Sequence, residues 1–206
     1  MKPLIGIIEK EGLSSTKKKI TYTYKEILGK IINSNGIPIG IVPQQINETL
    51  NIIDGIILQG GDDYIKEEIE LVKYAYKNDI PLLGICLGMQ TIGIAMNGTI
   101  KKVYNHMKPN IKNVHDVYIK KDSKIYEILN KEKITVNSRH NYALIKTSLD
   151  ITGYSTDNII EVIEDKTKKF FIGLQWHPES LEDENSKKIF DYFIKKASEK
   201  WLYLNF

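Results

Sequence analysis

Apolar residues fall in short runs separated by turn-forming residues. Leu4, Ile5, Ile7 and Ile8 make residues 3–8 a buried strand. Residues 24–34 switch to helical spacing, with Ile27, Leu28, Ile31 and Ile32 on one face and Asn35-Gly36 as the stop. A second short strand follows over 37–42, with Pro38 near its start. Residues 52–58 are strongly apolar, broken by Asp54-Gly55, and run into Gln59-Gly60-Gly61-Asp62. Ile65, Ile69, Val72 and Tyr76 predict a helix over 65–77. Residues 81–85 read as a buried strand, residues 89–96 as another helix, and Asn97-Gly98 as a turn.

Continuous rather than alternating apolar strands indicate burial on both faces. Strands interleaved with helices then point to a mostly parallel sheet covered by helices. The second half differs. Residues 114–119, 134–137, 159–164 and 170–174 read as strands with short turns, several of them candidates for antiparallel pairing. A helix over 186–201 closes the pattern, with Ile189, Phe190, Phe193, Ile194 and Ala197 on one face. No repeat or linker interrupts the 206 residues, so a single domain over 1–206 is expected.

Composition narrows the function classes. The net charge is +3, and no basic stripe carries interleaved aromatics, so nucleic acid is not an expected partner. Lys17-Lys18-Lys19 reads as a solvated face. No run approaches a membrane span. The apolar stretch near the start is cut short by Glu9 and Lys10, too early for a secretory signal, which makes a cytoplasmic location the default expectation. The single cysteine excludes an intramolecular disulfide and argues against a cysteine-based metal site.

That cysteine stands in Gly84-Ile85-Cys86-Leu87-Gly88-Met89-Gln90, where a buried strand runs straight into a helix. This is a nucleophile elbow with sulfur in place of oxygen. The flanking glycines relieve crowding in the sharp turn. The helix N-terminus favours a thiolate and leaves the Leu87 N–H for an oxyanion. Gly60-Gly61, after another apolar strand, suits a second oxyanion donor. A thiolate nucleophile needs a base. His177 ends the apolar run Phe170 to Trp176, and Glu179 follows two residues on, placed to hold one imidazole nitrogen. His140, in Val136-Asn137-Ser138-Arg139-His140, is a candidate pocket residue. His106 and His115 lie in a polar segment and are expected to be solvated.

Taken together, the elbow and Gly173-Leu174-Gln175-Trp176-His177-Pro178-Glu179 resemble the class I glutamine amidotransferase superfamily. Within it the chain is most similar to γ-glutamyl hydrolases, including the γ-glutamyl-γ-aminobutyrate hydrolase group. Asp54 to Gly61, Gly98-Thr99 and Asn137-Ser138-x-His140 extend the likeness along nearly the whole chain. The resemblance implies a flavodoxin-like α/β fold. It implies a catalytic set of Cys86, His177 and Glu179, an oxyanion hole at Gly60, Gly61 and Leu87, and pocket residues Gln90 and His140. The partner it implies is a small γ-glutamyl molecule, cleaved through a Cys86 thioester without metal or organic cofactor. Turnover is expected to fall at acid pH as His177 and the thiol become protonated. The alternative is a glutaminase subunit serving a separate synthetase chain; a homodimer is a further assembly to consider. A binding module and a cysteine peptidase on the same scaffold are weaker readings, since the triad is intact and His-Pro-Glu is coupled to the elbow. One stretch departs from the hydrolase pattern: S-x-H-H-Q is replaced by Ser138-Arg139-His140-Asn141-Tyr142, which leaves the amine half of the substrate open.

Overall fold

The computed structural model describes residues 1–199. Its strands are β1 (Leu4–Ile8), β2 (Lys10–Leu13), β3 (Lys19–Tyr22), β4 (Ile37–Ile41), β5 (Gly55–Leu58), β6 (Leu82–Ile85) and β7 (Thr99–Lys102) in the first half. The second half adds β8 (His115–Ile119), β9 (Lys133–Val136), β10 (Tyr142–Lys146), β11 (Asp150–Ser155), β12 (Ile160–Glu164) and β13 (Phe171–Leu174). The helices are α1 (Lys25–Asn33), α2 (Ile46–Thr49), α3 (Lys66–Lys77), α4 (Leu87–Ala95), α5 (Lys124–Leu129) and α6 (Glu184–Ser198).

Nine strands form one sheet in the order β4-β1-β5-β6-β13-β12-β11-β8-β9. The block from β4 to β13 is parallel, and the pairings beyond β13 are antiparallel. The expected flavodoxin-like α/β architecture, with an antiparallel region from the second half, is therefore present. Strands β5, β6 and β13 are buried along their whole length, as their unbroken apolar sequences require.

Helices cover both faces. Ile27 and Ile31 of α1, Ile125 of α5 and Phe190 and Phe193 of α6 pack with Ile5, Ile7, Leu83 and Ile172 on one side. Leu71 and Val72 of α3 and Met89 and Ile92 of α4 pack with Ile56, Leu58, Leu82 and Phe171 on the other. Adjacent residues of a strand point to opposite faces, so each central strand feeds both cores. Asp183 caps α6 by accepting from the Ser186 N–H at 2.7 Å, which starts that helix two residues earlier than predicted. The predicted end at Trp201 lies outside the described residues. Among the described residues no helix is long and apolar enough to cross a membrane.

The β2–β3 hairpin, β7, β10, β11 and α5 are not among the predicted elements. β2 and β3 carry exposed, mixed side chains (KEGL, KITY) and so give no periodic signal. β11 is irregular, with register shifts against β12 at Gly153.

Candidate active site

The site forms where the parallel strands end. β6 stops at Ile85, and Cys86 turns the chain with φ 53° and ψ −105°, a positive-φ conformation that a non-glycine residue adopts only under constraint. The turn is held on both sides. The Cys86 N–H donates to the Leu174 carbonyl at 2.8 Å, and the Gln90 N–H donates to the Cys86 carbonyl at 3.1 Å. Gly84 and Gly88 pack against each other: a Cβ on Gly84 would stand 2.7 Å from the Gly88 carbonyl carbon and oxygen. A Cβ on Gly88 would run into the Leu58 carbonyl oxygen, so α4 approaches β5 only through glycine.

Gly60 faces the site directly. A Cβ there would lie 3.0 Å from Cε1 of His177 and 3.7 Å from Cβ of Cys86. The neighbouring Gly61 sits against Lys10 and the Leu87 side chain. The loop is anchored by Gln59, a buried residue that sequence reading treated only as part of the glycine turn. Its amide donates to the carbonyls of Ile8 and Tyr22 and accepts from the Tyr24 N–H, joining β1, the hairpin and the start of α1.

His177 follows β13 and is fixed by its backbone. Its N–H donates to Asn137 Oδ1 and its carbonyl accepts from Asn137 Nδ2, both at 2.8 Å. Its Nδ1 lies 2.6 Å from Oε1 of buried Glu179, carried on the short 3₁₀ turn Pro178–Ser180. Burial alone would lower the imidazole pKa. The Glu179 charge, together with the hydrogen bond and negative charge of the Cys86 sulfur, outweighs it and pushes the pKa up to about 10. Cys86, His177 and Glu179 thus lie together as the sequence motifs imply.

Gln175 donates to Cys86 Sγ at 3.7 Å and accepts from Gln90, whose amide also donates to the Tyr142 carbonyl at 2.7 Å. Gln90 therefore braces the site wall with its nitrogen already engaged. A cavity of about 330 Å³ opens over Cys86 and His177 and is lined by Tyr24, Glu26, Asp62 and Arg139. A narrower one alongside it touches Gln90, His140 and Tyr142. Arg139 borders both, donates to Ser180 Oγ at 3.0 Å, and has a buried Nε without a hydrogen-bond partner. No sequence signal singled it out, because it stands at the unspecified position of S-x-H-H-Q, where Asn141 and Tyr142 are the departures. A separate cavity of about 450 Å³ beside the β2–β3 hairpin contains none of the three triad residues.

The histidines need a correction. His106 and His115 are not solvated. His106 is 4% exposed and pairs with Asp157 through Nε2 at 2.8 Å, and His115 Nε2 lies 3.1 Å from buried Glu161. Acidic partners from β12 and the turn before it compensate for burial in a way that polar neighbours in sequence do not disclose. His140 borders the narrow cavity, but its Nδ1 is on the Tyr142 carbonyl and its ring lies against His106. Burial, reinforced by His106, pushes its pKa down to about 3, which keeps it neutral.

Comparison with known proteins places the chain in a family. The family described as Glutamine amidotransferase class-I matches residues 20–197, and the chain belongs to it. A glutamine amidotransferase-like protein of Rickettsia prowazekii is 30% identical over 88% of this chain and 92% of its own length. A CTP synthase of Lactiplantibacillus plantarum is also 30% identical, over 77% of this chain, but only 37% of that longer protein is covered. Among solved structures, the glutaminase domain of Trypanosoma brucei CTPS superposes with a TM-score of 0.76 at 19% identity, covering 96% of this chain and 94% of the other, a likeness of fold.

Proposed function

We propose that the chain is a single catalytic domain that hydrolyses the γ-glutamyl amide bond of a small γ-glutamyl compound. The observation that carries this reading is Cys86 held at a positive-φ elbow beside an imidazole that Glu179 keeps charged. Cys86 Sγ, the thiolate of an ion pair in which His177 holds the proton, attacks the amide carbonyl and forms the C–S bond as the carbonyl π pair moves onto oxygen. The oxygen takes up negative charge against the Leu87 N–H and the Gly60-Gly61 loop. His177 delivers its proton to the amine nitrogen as the C–N bond breaks. Water, deprotonated by His177, then attacks the thioester, releases glutamate and returns the proton to the Cys86–His177 pair. Arg139, Glu26 and Asp62 line the same cavity and between them supply the two signs of charge that a zwitterionic α-amino-acid head requires.

A second reading has its own support. Exposed Tyr104, Met107 and Tyr142 stand on the segments that wall the narrow cavity, and the CTP synthase relative carries the matching region inside a longer chain. Under this reading the chain is a glutaminase subunit that passes ammonia to a separate synthetase. One experiment separates the two: purified protein is incubated alone with glutamine and a panel of γ-glutamyl amides, and glutamate release is followed. Release that Cys86→Ala abolishes supports the autonomous hydrolase. Inactivity until a synthetase chain is added supports the partner-dependent glutaminase. Release that survives Cys86→Ala refutes both.

A further inference from the structure

Behind the catalytic wall, four side chains from separate segments converge on one buried point. Glu161 of β12 is fully buried, and neither of its carboxylate oxygens has a hydrogen-bond partner. Nε2 of His115 on β8 lies 3.1 Å from Glu161 Oε1, within ion-pair range but off the line a hydrogen bond needs. His140 turns its own unpartnered, buried Nε2 toward the same oxygen at 3.8 Å. The His106 ring packs against both imidazoles, with centroids 5.1 Å from His115 and 4.8 Å from His140. A fully buried carboxylate whose nearest compensation is a single off-line imidazole is left incompletely satisfied, which is costly. Glu164, three residues along the same strand, shows the ordinary solution: its carboxylate accepts the backbone N–H groups of Lys124 and Ile125. Glu161 has no such donors.

We propose that His106, His115 and Glu161, with His140 at the margin, form a binding site for one divalent transition-metal ion of the zinc class. A nitrogen from each of the first two and an oxygen of Glu161 lie within 4.8 Å of one another. Tetrahedral zinc, with ligands at about 2.0–2.2 Å, sets its ligand atoms about 3.3 Å apart, close to the His115–Glu161 spacing. Imidazoles with one carboxylate suit zinc better than magnesium or calcium. The outer contacts also fit. His106 Nε2 is held by Asp157 at 2.8 Å and His140 Nδ1 by the Tyr142 carbonyl at 3.0 Å, the kind of partner that fixes a metal-bound imidazole; His106 Nδ1 lies 3.3 Å from Ser138 Oγ, a contact the ion would displace. The ion would tie β8, β12 and the loop carrying Arg139 into one unit beneath the substrate cavity. This inference stands apart from the hydrolase reading and departs from the metal-free site that the sequence resemblance implies.

The test uses the full chain carrying Cys86→Ala, so that zinc cannot bind the nucleophile. The protein is stripped with EDTA and titrated with Zn²⁺ alone by calorimetry, with melting followed in parallel. The expected result is one ion per chain and a Tm rise of about 5 °C or more, reversed by EDTA. Both effects are lost in His115→Gln and in Glu161→Gln. No binding by the folded protein, or binding that both variants retain, overturns the site and leaves a buried proton-sharing cluster. Anomalous diffraction at the zinc edge from zinc-soaked Cys86→Ala crystals gives a second readout that does not depend on the folding of either variant. A peak between His115 and Glu161 supports the site, and a peak elsewhere or none overturns it.

Discussion

Oε1 of Glu179 lies 2.6 Å from Nδ1 of His177, two residues earlier in the chain. Burial works against a charged His177, and Glu179 reverses the balance. Glu179→Gln keeps the shape and removes the charge. Turnover is expected to fall about 10²–10⁴-fold, the usual worth of a positioned acid–base group. The alkaline limb of kcat/KM should move from about pH 10 toward neutrality. A pH profile of both proteins checks this; an unmoved alkaline limb would show that Glu179 does not set the His177 charge.

The same pair links stability to pH. The folded pKa of His177 is raised above its ordinary value of 6.5, so the stabilisation is full below about pH 6.5. It is lost as pH rises through about 10. Wild-type Tm should therefore decline between neutral pH and pH 10 more steeply than that of Glu179→Gln. Parallel slopes in thermal melts across that range would contradict this. The acid-side loss of activity expected from sequence is not a titration of His177, which remains charged through neutral pH.

The elbow depends on close backbone packing. Gly88→Ala drives a methyl group into the Leu58 carbonyl unless α4 moves away from β5. Overpacking of this kind costs about 1–3 kcal/mol, and here the methyl group meets backbone rather than a flexible side chain. Chemical denaturation of Gly88→Ala should show that loss, with activity falling as Cys86 shifts. Unchanged stability would mean that the approach of α4 to β5 is looser than described.

Asn137 holds His177 by two reciprocal backbone bonds. Asn137→Ala leaves a part-buried N–H and carbonyl of His177 without these partners, at a cost of up to about 1–3 kcal/mol for each group that water does not reach. The account predicts a kcat reduced at least tenfold with KM little changed, because the imidazole rather than the pocket is displaced. Steady-state kinetics decides it: an effect confined to KM would reassign Asn137 to the pocket.

Arg139 carries the opposite expectation. Removing its guanidinium in Arg139→Ala should raise KM about 10- to 100-fold for a γ-glutamyl substrate, the range of a charge-assisted hydrogen bond, while kcat changes less. Equal KM values for the two proteins would exclude Arg139 from recognition of the substrate head.

The parts of this architecture written locally were legible in the sequence. The unbroken apolar runs of β5, β6 and β13, and the strand-to-helix junction at Cys86, each depend on neighbours a few positions away. The braces are different. Gln59, Asn137 and Gln175 stand inside the family-like motifs, but they act through partners far along the chain that those motifs do not disclose. His106 and His115 misled for the same reason: their sequence neighbours are polar, but Asp157 and Glu161 arrive from the other end of the antiparallel region. The β2–β3 hairpin escaped notice because it buries little and needs no apolar face.

The central claim is a covalent γ-glutamyl intermediate on Cys86. The most direct measurement is intact-mass spectrometry of protein acid-quenched during turnover of a γ-glutamyl amide, followed by peptide mapping. The account predicts a mass gain of one γ-glutamyl group on the peptide containing Cys86, absent from Cys86→Ala. Glutamate release that continues in Cys86→Ala, with no acylated cysteine in the wild type, would contradict it.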